Sequence, residues 1–357
     1  MLQKFNNTSE KIYKLFSNSI GIDLGTANTL VYVHNYGIIV NEPSVVAVNQ
    51  KTGQVVAVGT QAKQMLGRTP SHISAVRPLV DGVVSNFEIA EEMLTYFLRK
   101  VHNLSPKFIR PTVVVGVPSG ITNVETRAVR DAAKSAGARQ VYIVEEPMAA
   151  ALGIELPIKD PVGSMVVDVG GGNTDIAVIS LSGIVQSKNL RIAGDRFNED
   201  IVSYIRNEFK ILIGERTAES IKIAIGSVVE TDELVEAPVR GRDLVTGLPR
   251  EVIITDADIR EAISNSIMML INSVKEVLET TPPEVLSDVM LRGIVLVGGG
   301  ATIPGLANLL EEALHIPIHI AHDPMTAVVR GAGVILENID AHRDILIDSD
   351  DELPAIE

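Results

Sequence analysis

Two aspartates, Asp23 and Asp168, occupy matching places in two copies of one pattern. In Ser164-Met-Val-Val-Asp168-Val-Gly170-Gly171-Gly172-Asn173-Thr174 an apolar run meets an acid, three glycines follow, and a second apolar run leaves toward Ile179. In Ser19-Ile-Gly-Ile-Asp23-Leu-Gly25-Thr26-Ala27-Asn28-Thr29 the same order recurs, with Ser19, Asp23, Gly25, Asn28 and Thr29 falling on Ser164, Asp168, Gly170, Asn173 and Thr174. Glycines lack a Cβ and let backbone N–H groups converge on an anion. A carboxylate beside such a nest repels a bare phosphate. It suits a phosphate that carries Mg²⁺, met directly or through water. Either glycine cluster alone also reads as a flexible hairpin turn. The repetition is what argues for a paired site.

The elements that must position these acids are strand, tight turn, strand, twice over. The duplication runs further. Val113-Val-Val-Gly116-Val-Pro-Ser-Gly120, a helical segment and Glu146-Pro-Met-Ala-Ala-Ala-Leu-Gly153 form one half. Val295-Leu-Val-Gly298-Gly299-Gly300-Ala301, a helical segment and Asp323-Pro-Met-Thr-Ala-Val-Val-Arg-Gly331 form the other. A period this long indicates two related domains rather than a solenoid. Two such domains facing each other would offer both acid-tipped turns to one ligand.

Along the chain, Asn35-Tyr-Gly37 and Lys51-Thr-Gly53 are turn signals between strands, and Thr60 to Leu66 reads as a helix. Asn86 to Val101 is an amphipathic helix with Ile89, Met93, Leu94 and Phe97 inward. Thr122-Asn-Val-Glu125 is a capping box opening a helix that ends at Gly137. Pro157 to Gly163 is the expected crossing between halves. Phe197, Ile201, Ile205, Phe209 and Leu212 recur at helical spacing. Arg216 to Ile225 is a helix that carries Glu219 and Lys222 on one face. They are either a surface ion pair or, in a cleft, a clamp on ribose and adenine. Residues 228–254 are expected as short strands with turns at Arg240-Gly241 and Thr246-Gly247. The acidic tail from Asp340 is expected to be disordered at its end.

Two segments admit a membrane reading. Residues 1–18 carry Ile12, Leu15 and Phe16 beside Lys11 and Lys14, which fits an interfacial anchor or a packed or frayed terminus. Leu104-Ser-Pro-Lys107-Phe108-Ile109-Arg110-Pro111 fits an inserting loop or a buried plug. No apolar run reaches the ~18–20 residues needed to span a bilayer, and the polar N-terminus does not read as a signal peptide.

Composition narrows the classes. At 357 residues, 46% hydrophobic and 21% charged, the chain fits two soluble globular domains. It has no cysteine, so disulfides and thiolate metal sites are excluded, as suits a cytoplasmic chain. A formal charge of −14 argues against nucleic acid as a partner and against general adsorption to anionic lipid, so any membrane contact is local.

The assembled motifs resemble the actin-like ATPase superfamily and, within it, the MreB family of bacterial actins. The resemblance runs from about Ile20 to Asp340. It rests on Ile22-Asp-Leu-Gly-Thr-Ala-Asn-Thr29, Asn41-Glu-Pro-Ser-Val-Val46, Gly67-Arg-Thr-Pro70, Glu145-Glu-Pro-Met-Ala-Ala150, Gly241-Arg-Asp243 and Thr281-Pro-Pro-Glu284. It implies an α/β fold, the duplicated actin-like ATPase fold: two RNase H-like domains, each with a smaller inserted subdomain, and nucleotide in the cleft between them. The implied divisions are an N-terminal segment 1–18; domain IA in 19–47, 81–160 and 328–345; subdomain IB in 48–80; domain IIA in 161–196 and 261–327; subdomain IIB in 197–260; and an acidic tail 346–357.

By the same resemblance the cofactors are ATP and Mg²⁺. Thr26, Ala27 and Asn28 would hold phosphates in one domain, and Gly171, Gly172 and Asn173 in the other. Asp23 and Asp168 would hold Mg²⁺ through water. Glu219, Ser220, Ile221 and Lys222 would meet the nucleoside, with Gly298, Gly299, Gly300 and Ala301 beneath the base. Glu146 and Asn173 would serve hydrolysis, Glu146 by positioning or accepting a proton from the attacking water. That family usually has Thr where this chain has Asn173, so the resemblance implies binding together with slow hydrolysis, a weak ATPase. It further implies filaments of the chain with itself, lying on the inner membrane through Phe108 and Ile109, with cell-wall elongation proteins as partners and rod-shape cell-wall synthesis as the output. The rival reading is a small-molecule kinase of the same superfamily with Glu146 as base, although no further polar cluster suits a sugar. A heat-shock-type chaperone would need a peptide-binding domain after the ATPase. A divisome or pilus actin homologue would differ in the insertion between the first domain's strands.

Overall fold

The computed structural model describes residues 17–104, 109–230 and 233–347. The chain divides into two compact units, Met1–Leu156 with Thr326–Glu357, and Pro157–Met325.

In the first unit, β1 (Ser17–Leu24), β2 (Asn28–Val33) and β3 (Gly37–Pro43) form an antiparallel meander. β1 then pairs in parallel with β4 (Ile109–Val117), and β4 in parallel with β5 (Gln140–Glu145). In the second unit, β6 (Ser164–Val169), β7 (Thr174–Ser180) and β8 (Gly183–Leu190) form the meander. β6 pairs in parallel with β9 (Ile294–Val297), and β9 with β10 (Ile318–Ile320). These five strands run in the same order in both sheets. The motif duplication is thus a duplication of topology.

Each sheet has its own core. Ile20, Ile22, Val113, Val115 and Ile143 pack with Met93, Leu94 and Phe97 in the first. Met165, Val167, Ile176 and Val178 pack with Phe197, Ile201, Ile205 and Ile263 in the second. All six residues of β6 are buried, which is why its apolar stretch Met165-Val-Val167 runs without alternation.

Each unit also carries a small three-stranded sheet. One is built from Val46–Asn49, Val55–Val58 and Ile73–Val76, and the other from Ile211–Leu212, Glu236–Asp243 and Pro249–Thr255. The turn expected at Arg240-Gly241 is not there: Gly241 lies inside the strand Glu236–Asp243. Its missing side chain serves strand packing, since a Cβ would stand 2.6 Å from the Leu212 carbonyl oxygen. The turn at Thr246-Gly247 is present, with Gly247 at φ +72. There the Asp243 carboxylate accepts the Val245 and Thr246 N–H groups at 2.8 Å.

The capping box at Thr122 and Glu125 forms and opens the helix Asn123–Ser135. A second, Thr255 with Asp258, opens Asp256–Thr280. The acidic segment after Asp340 is ordered further than its composition suggests. Ile345 is buried, and Leu346–Ile347 adds a strand antiparallel to the edge of β5. The apolar triplet outweighs the charge around it; the tail beyond it lies outside the described residues.

Candidate functional site

In the first unit the acid-tipped turn is tight by construction. A Cβ on Gly25 would stand 2.8 Å from the Asn28 carbonyl oxygen. Ser44 pins the turn from beside it. Its hydroxyl donates to Gly25 O at 2.6 Å and lies 2.8 Å from the Thr29 hydroxyl, and its N–H donates to Ala27 O at 3.0 Å. Thr26 is buried, with its Oγ1 accepting the Gly82 N–H at 2.8 Å. Asn28 is exposed.

Asp23 closes β1 in register with Gly116 of β4, which is itself in register with Val144 of β5. β5 leads directly into α1 (Glu146–Gly153), so Glu146 leaves from the same end of the parallel strands as Asp23. Glu146 is 7% exposed, at a helix N-terminus where the dipole favours a carboxylate. Its Cγ lies 3.4 Å from where a Cβ of Gly116 would be. Registered neighbours share a sheet face, so the missing side chain of Gly116 leaves room on the Asp23 side, first for Val328 Cγ1, which a Cβ would meet at 2.9 Å, and beside it for Glu146. Sequence reasoning overlooked Gly116. The available signal was a glycine interrupting a valine run. Burial pushes the Asp23 carboxyl up to about 7. It also raises that of Glu145, partly offset by the Gly120 N–H at 3.4 Å.

The second unit repeats the turn. A Cβ on Gly170 would stand 2.9 Å from the Asn173 carbonyl oxygen, and Gly170 N donates to that oxygen at 3.0 Å. The start of α2 (Gly194–Glu208) anchors the glycines. The N–H groups of Gly194 and Asp195 donate to the carbonyls of Gly170 (3.2 Å) and Gly171 (2.7 Å). Lys222, on α3 (Glu215–Ile225), donates to the Gly194 carbonyl at 2.7 Å with its ammonium 6.0 Å from the Phe197 ring. A lysine therefore stands beside the glycine turn.

Asp168 is 8% exposed. Gly298, at φ +80, lies so close that a Cβ there would overlap the Asp168 carboxylate, and a Cβ on Gly300 would overlap the Val169 side chain. The short turn Gly299–Thr302 thus packs on the end of β6, with open space beside Gly299 and Ala301 buried. Asp168, the turn Gly170–Asn173, Lys222 and Gly298 to Ala301 gather at one end of this unit's sheet.

Two other expected residues on α3 have partners within the fold. Ile221 is 5% exposed and belongs to the core, so its side chain offers nothing to a ligand. Ser220 bonds back to the Arg216 carbonyl at 2.8 Å. Phe108 lies outside the described residues. Ile109 opens β4, but its side chain is likewise not described.

Comparison with known proteins decides the lineage. The profile of the MreB/Mbl protein family matches residues 17–344. The chain belongs to the MreB/Mbl family. Cell shape-determining protein MreB of Escherichia coli (strain K12) is 50% identical over 348 residues, covering 96% of this chain and 98% of that protein. Cell shape-determining protein Mbl of Bacillus subtilis (strain 168) is 47% identical over 326 residues, covering 91% and 98%. The crystal structure of MreB 5 of Spiroplasma citri bound to AMPPNP superposes with a TM-score of 0.86 at 38% identity, covering 92% of this chain and 98% of that one. The MamK double helical filament gives a TM-score of 0.77 at 25% identity, covering 90% and 99%.

Membership fixes the fold as actin-like, as the motifs led one to expect. Among the described residues no group of three or more His, Asp or Glu could hold a metal ion, and no helix is long and apolar enough to cross a membrane. Chemically, each turn offers backbone N–H groups beside one carboxylate. The second adds a lysine and a glycine-floored surface, and the first adds a buried glutamate.

Proposed function

We propose that the chain binds Mg-ATP through its two acid-tipped turns and assembles with itself into membrane-associated filaments that direct rod-shape cell-wall synthesis. The observation that carries this is the identity of the turns: at Gly25 and at Gly170 a Cβ would stand 2.8 and 2.9 Å from the carbonyl oxygen three residues on, and each glycine follows by two residues an aspartate near its strand's end. The relatives agree in kind, since the Spiroplasma citri protein was crystallised with AMPPNP and with ADP, and MamK is known as a double helical filament.

Thr26, Ala27 and Asn28, with Gly171, Gly172 and Asn173, hold phosphate oxygens by backbone N–H groups and short side chains. Glu219 and Lys222 flank the nucleoside above Gly298 to Ala301. Asp23 and Asp168 suit Mg²⁺ by donor chemistry. Both present hard carboxylate oxygens, which would hold the hydrated ion through its water ligands. Bound there, Mg²⁺ would neutralise charge on the phosphates. Glu146, held over Gly116, orients the attacking water and accepts its proton. Asn173 in place of Thr makes turnover slow. Phe108 and Ile109 meet the lipid, and repetition along a filament multiplies a weak contact.

The test is negative-stain microscopy of the purified chain with Mg-ATP and lipid vesicles, beside a nucleotide-retention assay. Thin filaments on the vesicles and retained ATP support the reading. A chain that retains no ATP or GTP at millimolar Mg²⁺ sinks it, and a monodisperse monomer that does bind ATP and shows substrate-stimulated turnover points to a kinase. For turnover, Asn173→Thr is expected to speed phosphate release, and an unchanged rate removes Asn173 as the cause of slowness.

A further inference from the structure

The carboxylate of Asp175 has no part in the function proposed above. It is 1% exposed, the second residue of β7, and stands opposite Asp168 across the β6–β7 ladder. Two amides grip it. Asn173 Nδ2 donates to one oxygen at 2.6 Å, and Asn189 Nδ2, from the register partner on β8, donates to the other at 3.0 Å. An ionised carboxylate only accepts, so both amides must turn their NH₂ groups toward it. The amide is planar, so this turns Asn173 Oδ1 away from Asp175. The first unit has no counterpart: Leu30 stands opposite Asp23.

We infer that Asp175 is a positioning residue. It fixes the Asn173 side chain so that Oδ1 and the remaining amide hydrogen face the occupant of the glycine turn, while Asn189 steadies the carboxylate from the other side. Without the clamp, a short amide beside three glycines has several rotamers and two flipped orientations to choose from. A buried, charge-assisted hydrogen bond is strong enough to select one. Asn173 then meets a water or phosphate oxygen in one fixed orientation, which matters for a step that depends on aim more than on affinity. The inference rests on the proposal that this turn holds ATP phosphates.

A double-mutant cycle tests it, with Asp175→Asn and Asn173→Ala made singly and together. Equilibrium binding of a fluorescent ATP analogue with Mg²⁺ and single-turnover phosphate release are measured on each full chain. An Asn at 175 offers one carbonyl and one NH₂ in place of two acceptors, so one of the two partner amides must flip or lose its bond. Asp175→Asn is expected to slow phosphate release about tenfold with binding changed less than about threefold, and to add nothing in the Asn173→Ala background. Equal losses in binding and release, or the same slowing in both backgrounds, overturn the inference. If thermal melting shows Asp175→Asn to be unfolded, Asn189→Ala replaces it. That variant loosens the clamp from β8 and is expected to slow release partially, and an unchanged rate overturns the inference. A wild-type chain that binds no Mg-ATP sinks the phosphate reading itself. One that binds it, with additive variants, sinks only the clamp.

Discussion

At Asp23 the fold keeps a carboxyl group short of water, and its pKa rises from 3.8 to about 7. The folded chain therefore holds this proton more tightly than the unfolded chain does. Stability from the group is whole below the unfolded value and is lost as pH climbs through the folded one. Above that, the anion needs a cation, which is the condition a magnesium site exploits. Without nucleotide or Mg²⁺, Asp23→Asn should raise the thermal midpoint more at about pH 7.5 than at about pH 5, where the folded wild type still holds the proton and only the unfolded chain has lost it. Saturating Mg-ATP should reverse the order at the higher pH, because the variant loses ligand binding. Melting curves at the two pH values, with and without Mg-ATP, decide this. Gly298 is the second informative residue. Alanine there faces both φ +80 and the Asp168 carboxylate. Gly298→Ala should cost about 1–3 kcal/mol in a denaturant melt and weaken Mg-nucleotide binding measured by fluorescence titration. Asp23 and Asp168 were legible because the sequence states them twice. Gly116 and Asp175 were not. Each acts on a side chain, Glu146 or Asn173, whose location becomes known only once other elements have packed.

Elements explain why those side chains hold still. α1 carries Glu146 at its first position and packs against the helix Ala327–Glu337 through glycines. A Cβ on Gly153 would overlap the Ala327 carbonyl, and one on Gly331 would overlap the Ala149 carbonyl. These are backbone contacts, so no side-chain rotation relieves them. Gly331→Ala should pry the helices apart and destabilise the chain by about 1–3 kcal/mol or more, read as a lowered denaturation midpoint. It should also slow ATP turnover, since Glu146 rides on the displaced helix. The repeated Pro-Met followed by small residues announced both helices. That they touch each other inside one unit did not follow from the repeat. The same limit applies to Gly241: a glycine needed for close strand packing looks, in sequence, like one needed for a turn. Capping boxes transferred well because their chemistry is local, confined to residues three apart.

For the molecule as a whole, the repeat in sequence became a repeat in strand order, and two cores follow from two sets of apolar strands. Net charge is the other property that belongs to the whole chain. At −14 it opposes approach to an anionic bilayer, so the proposed attachment would have to come from apolar insertion at a few positions. This yields a salt dependence opposite to that of a basic peripheral protein. Added salt screens the repulsion within about 10 Å at 0.1 M and leaves apolar burial intact. Pelleting with anionic vesicles under Mg-ATP should therefore hold steady or rise as NaCl goes from about 0.1 to about 0.5 M. Replacing Phe108 and Ile109 together with serine should remove most of it at both concentrations, while filaments still form in the absence of lipid. Pelleting that falls steeply with salt would mean that local basic residues such as Lys107 and Arg110 do the binding. Pelleting untouched by the double serine variant would move the anchor to residues 1–18, whose sequence carries the apolar residues Ile12, Leu15 and Phe16.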